Sequence, residues 1–379
     1  MKGISDLTVE QQLLRDSARL IARDKVAPRA REVDASGEFP SDIARVFSSA
    51  GFLSFVLPEK FGGADGDNVS ICLCVEELAR VCGSSALMVV GQAVGLYPVV
   101  LGGSDEVKSL CFRRVSEEGA LAAFCLTEPE AGSDAASIST AARADGDHYI
   151  LNGTKCFVTN GGVAGFYSVM AKTDPSAGSR GMSTFLVERD TPGVSVGKAE
   201  DKLGMRGSST TELILEDARV PRGNLLGGEG QGFSIAMKTL DMSRPVVGAL
   251  ALGIAEGAFE VARDYAKERV QFGRPIIQHE AVGFMLADMA TLIEASRGLV
   301  YRAADMFDSG DPGLSVIASM AKSFSSDAAM KVTGDAIQVL GGYGYTNEYP
   351  LGRMLRDAKV TQIFEGTNQI QRLVIARHL

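Results

Sequence analysis

The sequence predicts a mainly α-helical protein that carries a small β domain in its middle. Three observations support this prediction: apolar residues recur at helical spacing up to about residue 118, they alternate with polar residues between about 119 and 225, and helical spacing returns from about 226. We therefore predict an N-terminal helical domain over residues 1–118, a middle β domain over 119–225 and a C-terminal helical domain over 226–379.

The first predicted helix begins with a capping box. The Thr8 side chain can accept from the backbone of Gln11, and the Gln11 side chain can reach back to the backbone of Thr8. The apolar face that follows consists of Leu13, Leu14, Ala18, Ile21 and Val26. A second helix is predicted to begin at Pro40-Ser41-Asp42, because proline and an acidic residue both suit a first helical turn.

The middle part is typical of short strands joined by turns. Its apolar runs include Ser183 to Glu188 and Thr211 to Leu215. The predicted turns are Asp145-Gly146, Asn152-Gly153 and Pro192-Gly193. In the C-terminal part, one face of a long helix is formed by Val247, Leu250, Ile254, Val261 and Tyr265, and a later helix starts near Asp311-Pro312.

Composition narrows the class of protein. A chain of 379 residues with 45% apolar content can bury one large core or two to three smaller ones, and a net charge of −9 with three histidines argues against nucleic acid as the main partner. The six cysteines include no Cys-x-x-Cys pair, so we expect buried thiols and no metal site. Because no window of eighteen apolar residues appears, we expect no membrane span and a cytoplasmic protein.

Glu365 is the strongest catalytic candidate. It is the one charged residue in the run from Gln362 to Gln369, where we expect an apolar setting for it, and Gly366 follows it directly. Dry surroundings raise the basicity of a carboxylate, so Glu365 could act as a general base. The same run also suits a helix N-terminus, because Gly366-Thr367 can precede a helix that continues to Arg377.

Two segments of the β domain could hold a flat ligand. The run from Leu126 to Asp134 supplies hydroxyls and backbone N–H groups, although most such runs are ordinary loops. The run from Lys155 to Gly162 alternates along a strand, so Phe157 and Thr159 point the same way and could offer a ring face and a donor. The alternative is a core phenylalanine beside a turn.

Two segments of the C-terminal part could hold phosphate groups. The run from Arg269 to Ile276 ends a helix with cations and a Gly-Arg-Pro break, which suits either a diphosphate or the helix dipole. The run from Gln338 to Tyr345 is a glycine turn that follows a helix. It lacks the preceding strand of a dinucleotide fingerprint and the Gly-Lys-Ser/Thr of a P-loop, so both of those sites are excluded there.

Together and in this order, the five segments closely resemble the acyl-CoA dehydrogenase family over nearly the whole chain. The resemblance implies a flavoenzyme that binds FAD and oxidises an acyl-CoA thioester to the trans-2-enoyl-CoA, with flavin N5 accepting the β-hydride. It further implies an N-terminal helical domain, a β-barrel-like middle domain and a C-terminal four-helix bundle. An electron-transfer flavoprotein would accept the electrons, and the chain would assemble as a homotetramer.

The resemblance also implies residue roles. Glu365 stands where the family most often has its catalytic base. The residues implied to bind FAD are Thr127, Ser133, Phe157, Thr159, Arg269, Phe272, Gln338, Gly341, Gly342, Thr367 and Gln369. Those implied to bind substrate are Ser133, Asp241, Arg244 and Gly366. For Asp241 and Arg244 the alternative is the start of a capped helix with an ordinary salt bridge.

The chain departs from the family pattern in ways that bear on substrate. Phe157 stands where many members carry Trp, and Phe364 stands where Tyr is frequent. The run from Ser84 to Ala93 resembles the acyl-pocket helix and contains no Arg, which favours a short, branched or cyclic apolar acyl group over a dicarboxylic one. An acyl-CoA oxidase, an enoyl-CoA reductase on the same fold, and a non-catalytic binding protein remain as alternatives.

Overall fold

The computed structural model describes residues 7–61, 63 and 65–379. They form a mainly helical protein with one large sheet in the middle of the chain, which confirms the predicted fold class. The N-terminal helices are α1 (Val9–Ile21), α2 (Ala30–Ser36), α3 (Ser41–Ser49), α4 (Asn68–Ala79), α5 (Gly83–Gly102) and α6 (Asp105–Glu118).

Helix α1 begins with the predicted capping box, but its buried face is narrower than predicted. The Thr8 hydroxyl accepts from the Gln11 backbone at 3.1 Å, and the Gln11 side chain accepts from the Thr8 backbone at 3.0 Å. Ala18 is buried, whereas Leu13 is 64% exposed, so its assignment to the buried face was wrong. Five residues separate the two side chains, which turns Leu13 about 140° around the helix from Ala18.

The middle of the chain forms one mixed sheet with its own apolar core. Its strands are β1 (Leu121–Cys125), β2 (Ala141–Asp145), β3 (His148–Thr159), β4 (Ala164–Lys172), β5 (Met182–Glu188), β6 (Val194–Ala199), β7 (Thr210–Pro221) and β8 (Leu225–Leu226). The order is β6-β7-β3-β2-β4-β5-β8, and β1 pairs with β4. The β1–β4 and β2–β4 pairs are parallel and the others antiparallel, so the chain crosses over twice instead of forming hairpins throughout.

Two of the three predicted turns lie between strands, and the third does not. Gly146 connects β2 to β3 and Gly193 precedes β6, both with positive φ. Asn152-Gly153 lies inside β3, so a turn there was wrong. The pairing of β3 with β7 shifts register at this point, and a Cβ on Gly153 would lie 2.4 Å from the Thr140 hydroxyl. This glycine therefore marks a bulge with a close neighbour rather than a chain reversal.

The C-terminal helices form a bundle that shares its core with the N-terminal helices. They are α7 (Gly232–Glu268), α8 (Glu280–Asp308), α9 (Leu314–Leu340), α10 (Leu351–Thr361) and α11 (Asn368–Ala376). A short hairpin of β9 (Val270–Gln271) and β10 (Arg274–Pro275) connects α7 to α8. Helix α7 contacts α4 and α5 as well as α8, α9 and α10, and one continuous apolar core runs through these contacts.

By length and composition alone, two helices are long and apolar enough to cross a membrane. We had not expected this from the sequence, because it contains no window of eighteen apolar residues. The two helices are α5 and α7. Of their most apolar windows, 83% and 78% is buried inside the protein. The apolar residues of both helices therefore already have protein partners, as in the central helices of a globular core.

Helix α7 packs closely against α4 because two of its glycines face the α4 backbone. A Cβ on Gly257 would lie 2.1 Å from the Arg80 carbonyl oxygen, and one on Gly253 would lie 2.3 Å from the Glu76 carbonyl oxygen. Both distances are too short for a real contact, so any larger residue must push the helices apart. The small residues here allow the N- and C-terminal helices to share a core.

We predict that Gly257→Ala destabilises the protein by about 1–3 kcal/mol, because the added methyl group overpacks this contact. Denaturant unfolding of the purified variant measures the effect. The matched control is Gly298→Ala on α8, where an added Cβ meets nothing within 4 Å. That variant should equal the wild type or exceed it by up to about 1 kcal/mol, because alanine favours helix. Equal unfolding free energies for the two variants would contradict the prediction.

Candidate active site

Glu365 lies in the turn between α10 and α11 with a strained backbone. Its φ is +54° and that of Gly366 is +87°, so two consecutive residues adopt the left-handed conformation. Such a conformation costs a non-glycine residue about 1–3 kcal/mol, and neighbouring contacts must hold it. Thr367 caps α11, since its side chain accepts from the Ile370 backbone. The run therefore contains the helix N-terminus that the sequence indicated, and Glu365 stands just outside it.

The Glu365 carboxylate is poorly hydrated but not in an apolar setting, so that part of the prediction was wrong. Its Oε2 accepts a hydrogen bond of 2.8 Å from the hydroxyl of Ser243, a fully buried residue of α7. Desolvation raises the pKa of Glu365, while the Ser243 hydrogen bond and the charges of Arg244 and Lys322 oppose the rise. The net direction is upward, which is the direction that favours a general base.

Two buried side chains hold the turn from beneath. Gln371 Nε2 donates to the carbonyl oxygens of Glu365 and Gly366 at 3.0 and 2.9 Å. Lys322 Nζ donates to the Gly366 carbonyl oxygen at 2.8 Å and to Asn368 Oδ1 at 2.9 Å. Along the described chain, no acceptor is recorded for the backbone N–H groups of Glu365 and Gly366. The turn thus has its carbonyl groups satisfied and these N–H groups available.

Ser243, Lys322 and Gln371 were missed by the sequence analysis. One signal could have revealed Lys322: it recurs at helical spacing with Ala318, Ser325 and Ala329 on the buried face of α9. A lysine on such a face is unusual and requires a partner. Ser243 carries no comparable signal, because a small hydroxyl is common on any buried helix face.

Asp241 and Arg244 lie inside α7, so their placement at a helix start was wrong. Helix α7 already begins at Gly232, and Pro245 is accommodated within it. Arg244 Nη1 donates to Asp241 Oδ1 at 2.5 Å, one turn away, and Ser315 also donates to that oxygen at 3.0 Å. The expected salt bridge is present. The buried Arg244 guanidinium also adds its charge to the surroundings of Glu365.

A buried ion pair fixes the loop that contains Thr127 and Ser133. Lys155 Nζ donates to Glu128 Oε1 at 2.7 Å and to the Leu126 carbonyl oxygen at 3.1 Å. The same carboxylate accepts from the backbone and hydroxyl groups of Ser139 and Thr140. Burial acts to raise the pKa of Glu128, but the Lys155 charge and these hydrogen bonds outweigh it and bring the pKa to about 2.

Phe157 is presented at the surface next to that loop. A register shift between Lys155 and Val158 bulges β3, and Phe157 there has φ +55° and is 64% exposed. Val158 beside it is buried and Thr159 is half-buried. That Phe157 and Thr159 point the same way stays a prediction, because the bulge interrupts the alternation of the strand. The Cys156 backbone donates to the Thr127 carbonyl oxygen at 2.9 Å, which joins loop and strand. An exposed ring beside loop donors fits a flat aromatic group such as a flavin.

Arg269 and the glycine turn line a cleft of about 530 Å³. The residues around it are Tyr265, Arg269, Gln271, Ile276, Val339, Leu340, Gly341, Gly342, Tyr343 and Thr346. The structure therefore brings Arg269, Gly341 and Gly342 together, as the resemblance implies. Phe272 stands outside the cleft at the hairpin tip and is 95% exposed, and Gln338 is exposed on α9.

The cleft and the Glu365 turn lie at opposite ends of the same helices. Along α7, 22 positions separate Ser243 from Tyr265, and along α9, 18 positions separate Lys322 from Leu340. At 1.5 Å per residue, the two places are about 30 Å apart. Of the FAD-binding residues implied by the resemblance, Arg269, Gly341 and Gly342 therefore lie far from Thr367 and Gln369, which are next to the Glu365 turn. Ser133, Gln338 and Gln369 are exposed and Thr367 is half-buried, so their predicted ligand contacts stay predictions.

Comparison with known proteins supports the resemblance along the chain. Models of the acyl-CoA dehydrogenase N-terminal, middle and C-terminal domains match residues 8–118, 123–218 and 230–379. A cyclohexane-1-carbonyl-CoA dehydrogenase of Geobacter metallireducens is 51% identical over 98% of this chain and 97% of its own length.

Two solved structures have nearly the same fold. Butyryl-CoA dehydrogenase from Megasphaera elsdenii superposes with a TM-score of 0.96 at 43% identity, covering 98% of both chains. A chain in a structure of the electron transferring flavoprotein of Acidaminococcus fermentans gives the same score at 47% identity, also over 98% of both chains. The likeness extends over the helical parts and the sheet together.

We predict that Lys155→Met destabilises the protein by about 3–5 kcal/mol and weakens FAD retention, because it leaves the Glu128 charge buried without its partner. Denaturant unfolding and the FAD content after dialysis measure the two effects. In the double variant Glu128→Gln, Lys155→Met, no charge remains unpaired, so part of the stability should return. A single variant as stable as the wild type would contradict the prediction.

Proposed function

The chain belongs to the acyl-CoA dehydrogenase family, whose members are FAD-dependent oxidoreductases, and on that basis we propose that Glu365 removes the α-proton of an acyl-CoA thioester. The product is the trans-2-enoyl-CoA. One observation carries the proposal: Glu365 is a poorly hydrated carboxylate with raised pKa, fixed by Ser243 in a strained turn. Bound flavin supplies the acceptor for the β-hydrogen.

The turn suits this reaction because it supplies both a base and donors. The α-hydrogen of a thioester is a weak acid, and its removal places negative charge on the thioester oxygen. Backbone N–H groups that lack a protein acceptor can meet that charge, and those of Glu365 and Gly366 are in this state in the described chain. Each oxyanion donor of this kind contributes about 3–4 kcal/mol to lowering the barrier. The proposed donor is the Glu365 N–H.

A cyclic apolar acyl group is the favoured substrate. Every residue from Ser84 to Ala93 on α5 is buried, and none is charged. A carboxylate at the far end of a dicarboxylic acyl group would find no cationic partner on this helix. The dehydrogenase from Geobacter metallireducens, whose printed name specifies a cyclohexane ring, supports a ring in preference to a straight chain.

We further propose that FAD is shared between two copies of the chain within a homotetramer and that an electron-transfer flavoprotein accepts the electrons. The separation of about 30 Å between the cleft and the Glu365 turn supports the sharing. Phe157 and Phe272 are both largely exposed, which leaves apolar rings for a second chain and a cofactor to cover. The likeness to a chain in a structure of an electron transferring flavoprotein supports the acceptor.

We predict that Glu365→Gln retains FAD and binds acyl-CoA but reduces its flavin at least about 10³-fold more slowly than the wild type, because the amide cannot take a proton. Anaerobic stopped-flow bleaching of the flavin by a saturating acyl-CoA measures the rate. The matched control is Glu117→Gln, an exposed residue of α6. Bleaching of the Glu365→Gln flavin at the wild-type rate would show that another group is the base.

The melting temperature of Glu365→Gln, measured across pH, tests whether this variant is folded. A raised pKa means that the folded state holds the Glu365 proton more tightly than the unfolded state does. At neutral pH the ionised carboxylate therefore lowers stability, and Glu365→Gln should melt at the wild-type temperature or above. As pH falls below the ordinary pKa of a glutamic acid, both side chains are neutral and the difference should disappear.

We predict that a cyclohexane-1-carbonyl thioester bleaches the flavin faster than a straight-chain thioester of similar size, and that a glutaryl thioester gives no bleaching. Each methylene group that fits the acyl pocket better or worse is expected to change the rate by about 10–200-fold. The measurement is the limiting anaerobic rate for each thioester. Equal rates for glutaryl and cyclic thioesters would refute the specificity, and rapid peroxide formation in air would favour an oxidase.

A further inference from the structure

Lys322 is a fully buried cation without a carboxylate partner. Its side chain, on α9, has no exposed surface. Within the described residues, no Asp or Glu oxygen lies within 4 Å of its ammonium group, whereas Lys155 and Lys331 each have such a partner. A buried lysine is rare, and a buried charge normally has an opposite charge beside it. Its acceptors are instead the Gly366 carbonyl oxygen and Asn368 Oδ1.

The acceptor on Asn368 is itself fixed. Asn368 Nδ2 donates to Asp327 Oδ1 at 2.8 Å and to Ser326 Oγ at 2.9 Å, and the residue is buried at the first position of α11. These two donations leave Oδ1 as the side that faces Lys322. The lysine is thus held by α11 on one side and by the turn on the other, which limits it to one position.

The lysine acts on the peptide group between Gly366 and Thr367, one residue beyond Glu365. In a trans peptide the C=O and N–H groups point in opposite directions. Lys322 draws the Gly366 carbonyl to one side, and Gln371 draws the Glu365 carbonyl toward itself. The N–H groups of Gly366 and Thr367 are consequently turned the other way. Two hydrogen bonds from buried donors thereby fix two left-handed residues that would otherwise relax.

We propose that Lys322 is a positioning residue for the base, holding the Gly366 carbonyl so that the turn keeps its left-handed conformation and placing a buried amino group beneath the turn that carries Glu365. This inference rests on the proposed function of Glu365. Lys322 does not itself contact the reacting atoms. It acts through the turn and through its charge.

The charges around Lys322 determine the expected pH effect. The groups that face it are Glu365 in the turn, Arg244 on α7 and Asp327 on α9. Burial lowers the pKa of Lys322 to about 7, although the Glu365 charge acts to raise it. In the opposite direction, the Lys322 charge lowers the pKa of Glu365. Removing the charge must therefore raise the pKa of Glu365, so the base becomes protonated at a higher pH than in the wild type.

The test compares FAD-loaded Lys322→Met, Lys322→Gln and Lys322→Arg with the wild type. The rate of anaerobic flavin reduction at saturating acyl-CoA is recorded across pH, so that substrate binding does not enter. Lys322→Met should be roughly ten- to a hundredfold slower, since it loses a charged hydrogen bond to the turn, and its acid limb should move to higher pH. Lys322→Arg should recover most of the wild-type profile.

Further variants keep the outcome interpretable. If Lys322→Met fails to fold, Lys322→Gln still removes the charge while retaining a donor, and its acid limb should shift in the same direction. Lys331→Met is the matched control, because Lys331 lies on the same helix with its side chain 60% exposed, and its profile should equal that of the wild type.

Wild-type rate and pH profile in both Lys322→Met and Lys322→Gln would overturn the proposal. So would a slower variant whose acid limb stays at the wild-type pH, because a merely structural role gives that result. Glu365→Gln, measured in parallel, separates the two hypotheses. If it bleaches at the wild-type rate, the assignment of the base has failed, whereas an inactive Glu365→Gln beside unchanged Lys322 variants removes only the role of Lys322.

Discussion

The structure depends on keeping one poorly hydrated carboxylate ionised and in place. Burial raises the pKa of Glu365 and so favours its protonated form, and a protonated acid cannot accept the substrate proton. A direct ion pair would keep it ionised but would make it a weaker base. In this chain, Glu365 instead accepts one hydrogen bond from the neutral Ser243 hydroxyl. The two nearby cationic residues, Arg244 and Lys322, form their hydrogen bonds with other groups. Its pKa consequently stays raised while its negative charge is still compensated.

Glu128 shows how a direct ion pair changes the pKa of a carboxylate. Glu128 is buried, whereas Glu365 is half-buried, and Glu128 contacts Lys155 directly and accepts from two backbone N–H groups and two hydroxyls. Its pKa falls to about 2, so it stays ionised at any working pH and exchanges no protons. The two carboxylates thus differ in their partners: Glu128 has a direct ion pair that lowers its pKa, and Glu365, the proposed base, has a neutral hydroxyl and a raised pKa.

The sequence predicted features that depend on neighbours in the chain and missed those that depend on packing. The capping box at Thr8, the β-strand runs and the turn around Glu365 arise from residues a few positions apart, and all are present. Gly153 was misplaced because a bulge and a turn use glycine for the same conformational reason. Ser243 reaches Glu365, and Lys322 reaches the adjoining Gly366, only after α7, α9 and the turn assemble, and no local pattern encodes those contacts.

The folding of a single chain does not explain why Phe157 and Phe272 are exposed. Phe272, at the tip of a hairpin with φ +51°, is presented outward by its backbone, and Phe157 is turned out by a bulge. A protein that only needed to fold would have little reason to use strained backbone to expose two phenylalanines, because each exposed ring forgoes the free energy of burial. Their exposure, with cleft and base about 30 Å apart along the helices, supports the proposal that the cofactor is shared between two chains. Glu365, Phe157 and Phe272 thus share one backbone feature, a positive φ, although only the two phenylalanine rings are largely exposed.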